Sequence, residues 1–167
     1  MQSPSLTVFQ NEQDSIHPEY FNHFSNHIDF GTNKMWVRHF ISVPFKDGHT
    51  LTELYADMIH AAKKKILITS PYFRPNKTIQ KALEQAVDRG VEVKLVTRLD
   101  LKGDTFGGIA SDVNKQGVNS FLGKIKMYEY AEPKEILHSK LLLIDDEFTF
   151  IGGVNLNKRS FEHDTEN

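Results

Sequence analysis

The sequence predicts an α/β fold, a mixed and largely parallel central sheet flanked by helices. Two short apolar runs, ILITS at 66–70 and VEVKLV at 91–96, bracket a helical stripe with short connections, which is the pattern of a parallel βαβ unit with a right-handed crossover. Two further apolar runs, LHSKLLLID and EFTFIGG, are separated only by the acidic pair Asp145-Asp146, as in a tight hairpin. With 167 residues, 39% of them hydrophobic and 25% charged, the chain has the composition of a folded domain with a core of its own.

In chain order, residues 1–45 read as an N-terminal extension or a region between lobes, and 46–167 as the folded lobe. HPEYFNHFSNHIDF has no clean period. His23 and His27 have the four-residue spacing of two metal ligands on one helix face, but no third ligand is placed to complete the set, so a surface or linker segment is the better reading. MWVRHFISVPF alternates loosely, as an edge strand or an extended lead-in. Thr50 to Glu53 have the form of a capping box, and apolar residues at 51, 54, 55, 58, 59 and 62 make the stripe of a helix that ends on Lys63, Lys64 and Lys65.

After the strand at 66–70, PYFRPN breaks the chain. Asn76 is placed to cap a second helix with apolar positions 79, 82, 83, 86 and 87, and Gly90 sits where a helix C-terminal glycine belongs. LDLKGDTFGG follows the strand at 91–96 as a polar loop of the kind that lines ligand sites in α/β sheets. Residues 109–122 suggest a helix weakened by Gly117 and Asn119, and 124–130 alternates as a strand.

Several function classes are disfavoured. The chain has no cysteine, which removes disulfides, thiolate metal sites and a cysteine nucleophile. A formal net charge of −2 argues against a protein that neutralises many nucleic-acid phosphates. No apolar run approaches a membrane span, and MQSPSLTVFQNEQD lacks the basic and apolar regions of a signal peptide. The expected location is cytoplasmic or peripheral to the inner membrane.

The chemistry concentrates near the C-terminal end of the sequence. On a strand, His138 and Lys140 project from one face, roughly 7 Å apart, while Ser139 and Leu141 point toward a core. Gly152 and Gly153 would let the backbone pass close to a ligand, and the Asn155 amide can donate to an oxyanion. Lysine, asparagine and imidazole converging on one spot make a phosphate site.

Read without a gap, the pattern is HxKxxxxDxxxxxxGxxN, running through His138, Lys140, Asp145, Gly152 and Asn155. It resembles the HKD motif of the phospholipase D superfamily. NLNKRSFEHDTE at 155–166 is similar to the continuation found in bacterial cardiolipin synthases, and TSPYFRPNKTIQKALEQAVDRGVEVKLV to the strand–helix–strand of their second lobe. The resemblance covers roughly residues 36–166.

It implies a metal- and cofactor-independent phosphodiester chemistry. One motif histidine attacks phosphorus to give a phosphohistidine, and a second, from another motif, protonates the leaving alkoxide. Carried onto this chain, the candidate catalytic set is His138, Lys140, Asp145 and Glu166, and the phosphate-binding set is His138, Lys140, Gly153 and Asn155. Asp145 faces away from His138 on a regular strand and reads as structural, closing the turn or pairing with a cation. Glu166 stands where the family keeps a carboxylate that orients an active-site histidine. Two departures are Gly153, where the family often has serine, and Asp164, in place of an asparagine. The implied partners are a phosphatidylglycerol-like phospholipid, a second HKD lobe or a homodimeric copy, and peripheral membrane contact, with the aromatics of Pro71–Phe73 more suited to packing than to acyl chains. A metal-independent homodimeric endonuclease and a non-catalytic lobe are the alternatives.

Overall fold

The computed structural model describes residues 37–43, 46, 48–99, 107–130 and 136–167. The chain divides into two units, Met1–Phe40 and Ile41–Asn167, and every described helix and strand belongs to the second. His23 and His27 lie outside the described residues.

In chain order the elements are α1 (Thr50–Ala61), β1 (Lys65–Thr69), α2 (Lys77–Asp88), β2 (Glu92–Thr97), α3 (Gly107–Asn119), β3 (Lys126–Glu129), β4 (Leu141–Ile144), β5 (Phe148–Ile151) and α4 (Lys158–Glu162). The strands form one sheet in the order β3-β2-β1-β4-β5. The pairings β1–β2 and β2–β3 are parallel, and β1–β4 and β4–β5 are antiparallel. The sheet is mixed, as expected, with its parallel half built from the βαβ repeat and its antiparallel half from the hairpin.

Period-two burial sets the core. Ile66, Ile68, Val93, Leu95, Leu142 and Ile144 are buried, together with Leu51, Tyr55 and Ile59 of α1 and Ile79, Leu83 and Ala86 of α2. Tyr55 stacks edge-on against Phe150 and Phe161, which ties α1 to β5 and α4. The opposite face, with Leu67, Val96, Leu141 and Leu143, is only half-buried.

The helix ends differ in part from expectation. Asn76 caps α2, its side chain accepting from the Ile79 N–H at 3.0 Å, and Gly90 follows with φ +85. Thr50 is the first residue of α1 and not its cap; the cap is His49, which makes no side-chain capping bond. The C-terminal carbonyls of α1 are bonded by Arg89, which donates to the oxygens of Ile59 and His60 at 3.1 Å each. Gly117 lies inside α3 because a Cβ there would collide with the Phe73 carbonyl oxygen. What reads as a weak helix residue is therefore a packing requirement. Phe73 is fully buried against Phe121, so that aromatic belongs to the core.

The hairpin departs from the expected phase. Leu142 and Ile144 are the buried residues of β4, whereas Leu141 is half-buried and Ser139 exposed. Ser139 and Leu141 therefore do not point into the core. A run of four consecutive aliphatics carries no alternation from which to read the phase; the side on which the helices pack decides it.

Candidate active site

His138 and Lys140 lie in the extended lead-in just before β4. Leu141 pairs with Thr69, the last residue of β1, so the two side chains emerge beyond the C-terminal end of β1. This is the end of a parallel sheet at which ligands bind. The Lys140 ammonium donates to the His138 carbonyl at 2.7 Å, which holds the lysine back along its own chain. The His138 residue is exposed, and its ring makes no hydrogen bond among the described residues.

Three tethers bring Asn155 to the same end. Leu156 donates to the Ser70 hydroxyl at 3.0 Å, Arg74 donates to the Leu156 carbonyl at 2.8 Å, and Lys158 donates to the Arg74 carbonyl at 3.0 Å. The loop after β1 thus clamps the segment after β5. That loop is in turn fixed from α3 by Asn114, a fully buried amide that accepts from the Phe73 N–H and donates to the Pro71 carbonyl at 2.8 Å and the Arg98 carbonyl at 2.5 Å. Asn114 escapes sequence reasoning because a lone asparagine inside a helix gives no signal of its contacts. The Asn155 N–H donates to the buried Ser160 hydroxyl at 3.3 Å. Its Oδ1 is buried without a hydrogen-bond partner among the described residues. A buried polar atom left that way costs roughly 1–3 kcal/mol, a cost that only a group able to donate to that oxygen would relieve.

Glu166 joins this cluster. Its backbone pairs with Ser42 in an antiparallel bridge, through bonds of 2.8 and 3.0 Å. Its carboxylate accepts from the Ser160 hydroxyl and interacts electrostatically with Lys140. Burial, as the leading cause, raises the Glu166 carboxyl above the usual range; the Ser160 bond and Lys140 oppose that shift, and Asp164 adds to it. Burial likewise lowers the Lys140 ammonium, against the pull of Glu166. No bond joins Glu166 to His138 among the described residues; the candidate site residue that acts on it electrostatically is Lys140.

Gly152 and Gly153, expected to let the backbone pass close to a ligand, have the chain itself beside them: a Cβ at Gly152 would strike the Asn167 carbonyl oxygen, and Gly153 donates to that same oxygen at 2.7 Å. Asp145 lies at the far end of β4, about 16 Å of extended chain from Lys140. Its carboxylate accepts the backbone N–H groups of Lys63 at 2.7 Å and of Lys64 and Lys65 at 2.8 Å each. Those bonds hold the acid below the usual carboxylate range, that from Lys65 most strongly. With φ values of 53 and 60, Asp145 and Asp146 form the left-handed pair of a type I′ hairpin turn, so Asp145 closes the turn, as its sequence position suggested, at the opposite end of β4 from His138 and Lys140.

Among the described residues, no helix is long and apolar enough to cross a membrane, and no group of three or more His, Asp or Glu is placed to hold a metal ion.

Residues 55–167 match the family model described as "Cardiolipin synthase, PLD-like domain". Cardiolipin synthase 1 of Staphylococcus epidermidis is 39% identical over 128 residues, covering 72% of this chain and 24% of that protein. Cardiolipin synthase A of Pseudomonas syringae is 36% identical over 120 residues, with the same coverages of 72% and 24%. The chain thus spans about a quarter of the length of these curated relatives. Among solved structures, the phospholipase D family member Nuc of Salmonella typhimurium is 28% identical with a TM-score of 0.54, covering 76% of this chain and 78% of that one. Phosphatidylserine synthase of Haemophilus influenzae, at 18% identity, has a TM-score of 0.63 over 79% of this chain and 35% of that one, a likeness of fold. By this family match and these identities, the chain belongs to the phospholipase D-like domain family of the cardiolipin synthases.

Proposed function

We propose that this chain supplies one half of the active site of a phosphatidyltransferase that joins phosphatidylglycerol-like lipids through a phosphohistidine. The observation that carries the reading is that His138, Lys140 and Asn155 all lie beyond the end of β1, the first two just before β4 and the third tethered there through Leu156 and Ser70.

In the reaction, an imidazole nitrogen attacks the phosphorus of the donor diester. An N–P bond forms, the P–O bond to the leaving alcohol breaks, and the second histidine gives that alkoxide its proton. The acceptor alcohol then attacks phosphorus, returns its proton to the same histidine, and the N–P bond breaks. Lys140 and Asn155 carry the charge on the non-bridging oxygens. With one HxK pair in its 167 residues, the chain needs a second motif from another lobe or another copy. Asp145 takes no part beyond holding the turn. Lipid headgroups reach the site from a membrane surface at which the protein works peripherally.

The test is a labelled phosphatidyl donor presented to the complete two-motif protein. His138→Ala should reduce transfer by at least about a thousandfold while the protein stays folded. Transfer at near wild-type rate would overturn the assignment of His138.

A further inference from the structure

We infer that Gly153 is a positioning residue: by having no side chain, it provides the slot that seats the Glu166 carboxylate beside the Ser160 hydroxyl, within electrostatic reach of Lys140.

An ideal Cβ at position 153 would lie 2.6 Å from Glu166 Oε2, 3.5 Å from Asn167 Oδ1 and 3.8 Å from the Asn167 carbonyl oxygen. Only the first is too close, so the carboxylate occupies the space that any side chain at 153 would need. The slot has two other fixed sides. The Ser160 hydroxyl, in a residue 1% exposed, bonds the carboxylate and also receives the Asn155 N–H. The bridge to Ser42 anchors the Glu166 backbone.

The groups that face the carboxylate are Lys140 from the lead-in to β4, Asp164 from beyond α4 and Tyr55 from α1. Asp164 is itself held by Arg159 at 3.0 Å, and Tyr55 is buried with its phenol pushed up, first by burial and then by Glu166. Lys140 is the one cation of the three and the one proposed to bind substrate.

A consequence for the site follows, resting on the reading of Lys140 and Asn155 as phosphate ligands. An anionic Glu166 acts electrostatically on the Lys140 ammonium and adds negative charge near a bound phosphodiester. The slot therefore weakens anion binding when Glu166 is ionised and relaxes that penalty when it is protonated, so a Gly153 side chain would change phosphate affinity without touching the phosphate.

Gly153→Ala is a clean probe. The residue does not use a left-handed φ, and the group displaced is the free end of a flexible side chain. Gly152→Ala, which would strike the Asn167 backbone, serves as the control for a change that disturbs the chain path. Two measurements are made on the complete protein. The first follows the Glu166 side-chain carboxyl by carbon-13 NMR across pH. The Gly153→Ala midpoint should move down toward that of an ordinary glutamate; an unmoved midpoint in a folded variant overturns the inference.

The second is inorganic phosphate binding at pH 7 by calorimetry. Gly153→Ala and Glu166→Gln should each tighten it several-fold. Gly153→Ala should add nothing in the Glu166→Gln background, and full additivity overturns the coupling. Lys140→Ala should abolish binding in every background. If it does not, the phosphate reading of Lys140 fails, while the carboxyl titration still decides the slot by itself.

Discussion

Single side chains at the two ends of β4 carry opposite duties. Asp145 gathers three backbone N–H groups from the connection between α1 and β1, so its ionised form stabilises the fold. Its carboxyl is depressed on folding, so this contribution is present above the unfolded value and is lost as pH falls through the folded one. Asp145→Asn should lower the urea midpoint at pH 7, and the gap to wild type should close below about pH 4. Phosphate binding should be unaffected. Glu166 has the opposite sign. Its carboxyl is raised, chiefly by burial, so its contribution is fully present below the unfolded value and is lost as pH rises through the folded one. Glu166→Gln should therefore stabilise the protein at pH 7, with the gain gone near pH 4, as chemical denaturation at the two pH values would measure.

At the scale of elements, the site rests on a relay from α3 through the loop after β1 to the segment after β5. Asn114 is the fixed point. Asn114→Ala leaves the Phe73 N–H and the Pro71 carbonyl without their partner, and should cost about 2–4 kcal/mol in chemical denaturation, with weaker phosphate binding because Asn155 loses its support. Gly117 tests the same relay from the other side. A methyl group there must push α3 off the Phe73 carbonyl, and Gly117→Ala should cost roughly 1–3 kcal/mol, although alanine is the better helix former. A variant as stable as wild type would show that the loop can move freely, contrary to this account.

At the scale of the whole molecule, the helix-covered face of the sheet is a dry core and the other face is not. Tyr128 is 52% and Ile151 75% exposed, and between them run the half-buried Val96, Thr69 and Leu141, each paired to the next across the strands. An apolar row of that length on an open sheet favours association. The solution mass of this chain, by light scattering, should rise above 19.2 kDa with concentration, and Ile151→Lys should lower it. A constant monomer mass would mean that the row is too dispersed to drive pairing.

Sequence alone determined what depends on local order and on side-chain chemistry. The βαβ unit, the Asn76 cap, the Gly90 terminus and the acidic turn are written in residues whose preferences act within a few positions of themselves. The motif was legible because His138, Lys140, Asp145, Gly152 and Asn155 stand at fixed spacing. Contacts that span the chain decided the rest. The phase of β4 is hidden in an unbroken aliphatic run and is fixed by which side the helices cover. The two glycines look like room for a ligand until the 166–167 backbone is seen to cross them. Asn114 meets its partners 16 to 43 residues away, and Glu166, held by its bridge to Ser42, comes within electrostatic reach of Lys140 from 26 positions along the chain. Spacing along a chain names the groups that react; tertiary packing, acting between residues far apart in sequence, decides which of them meet.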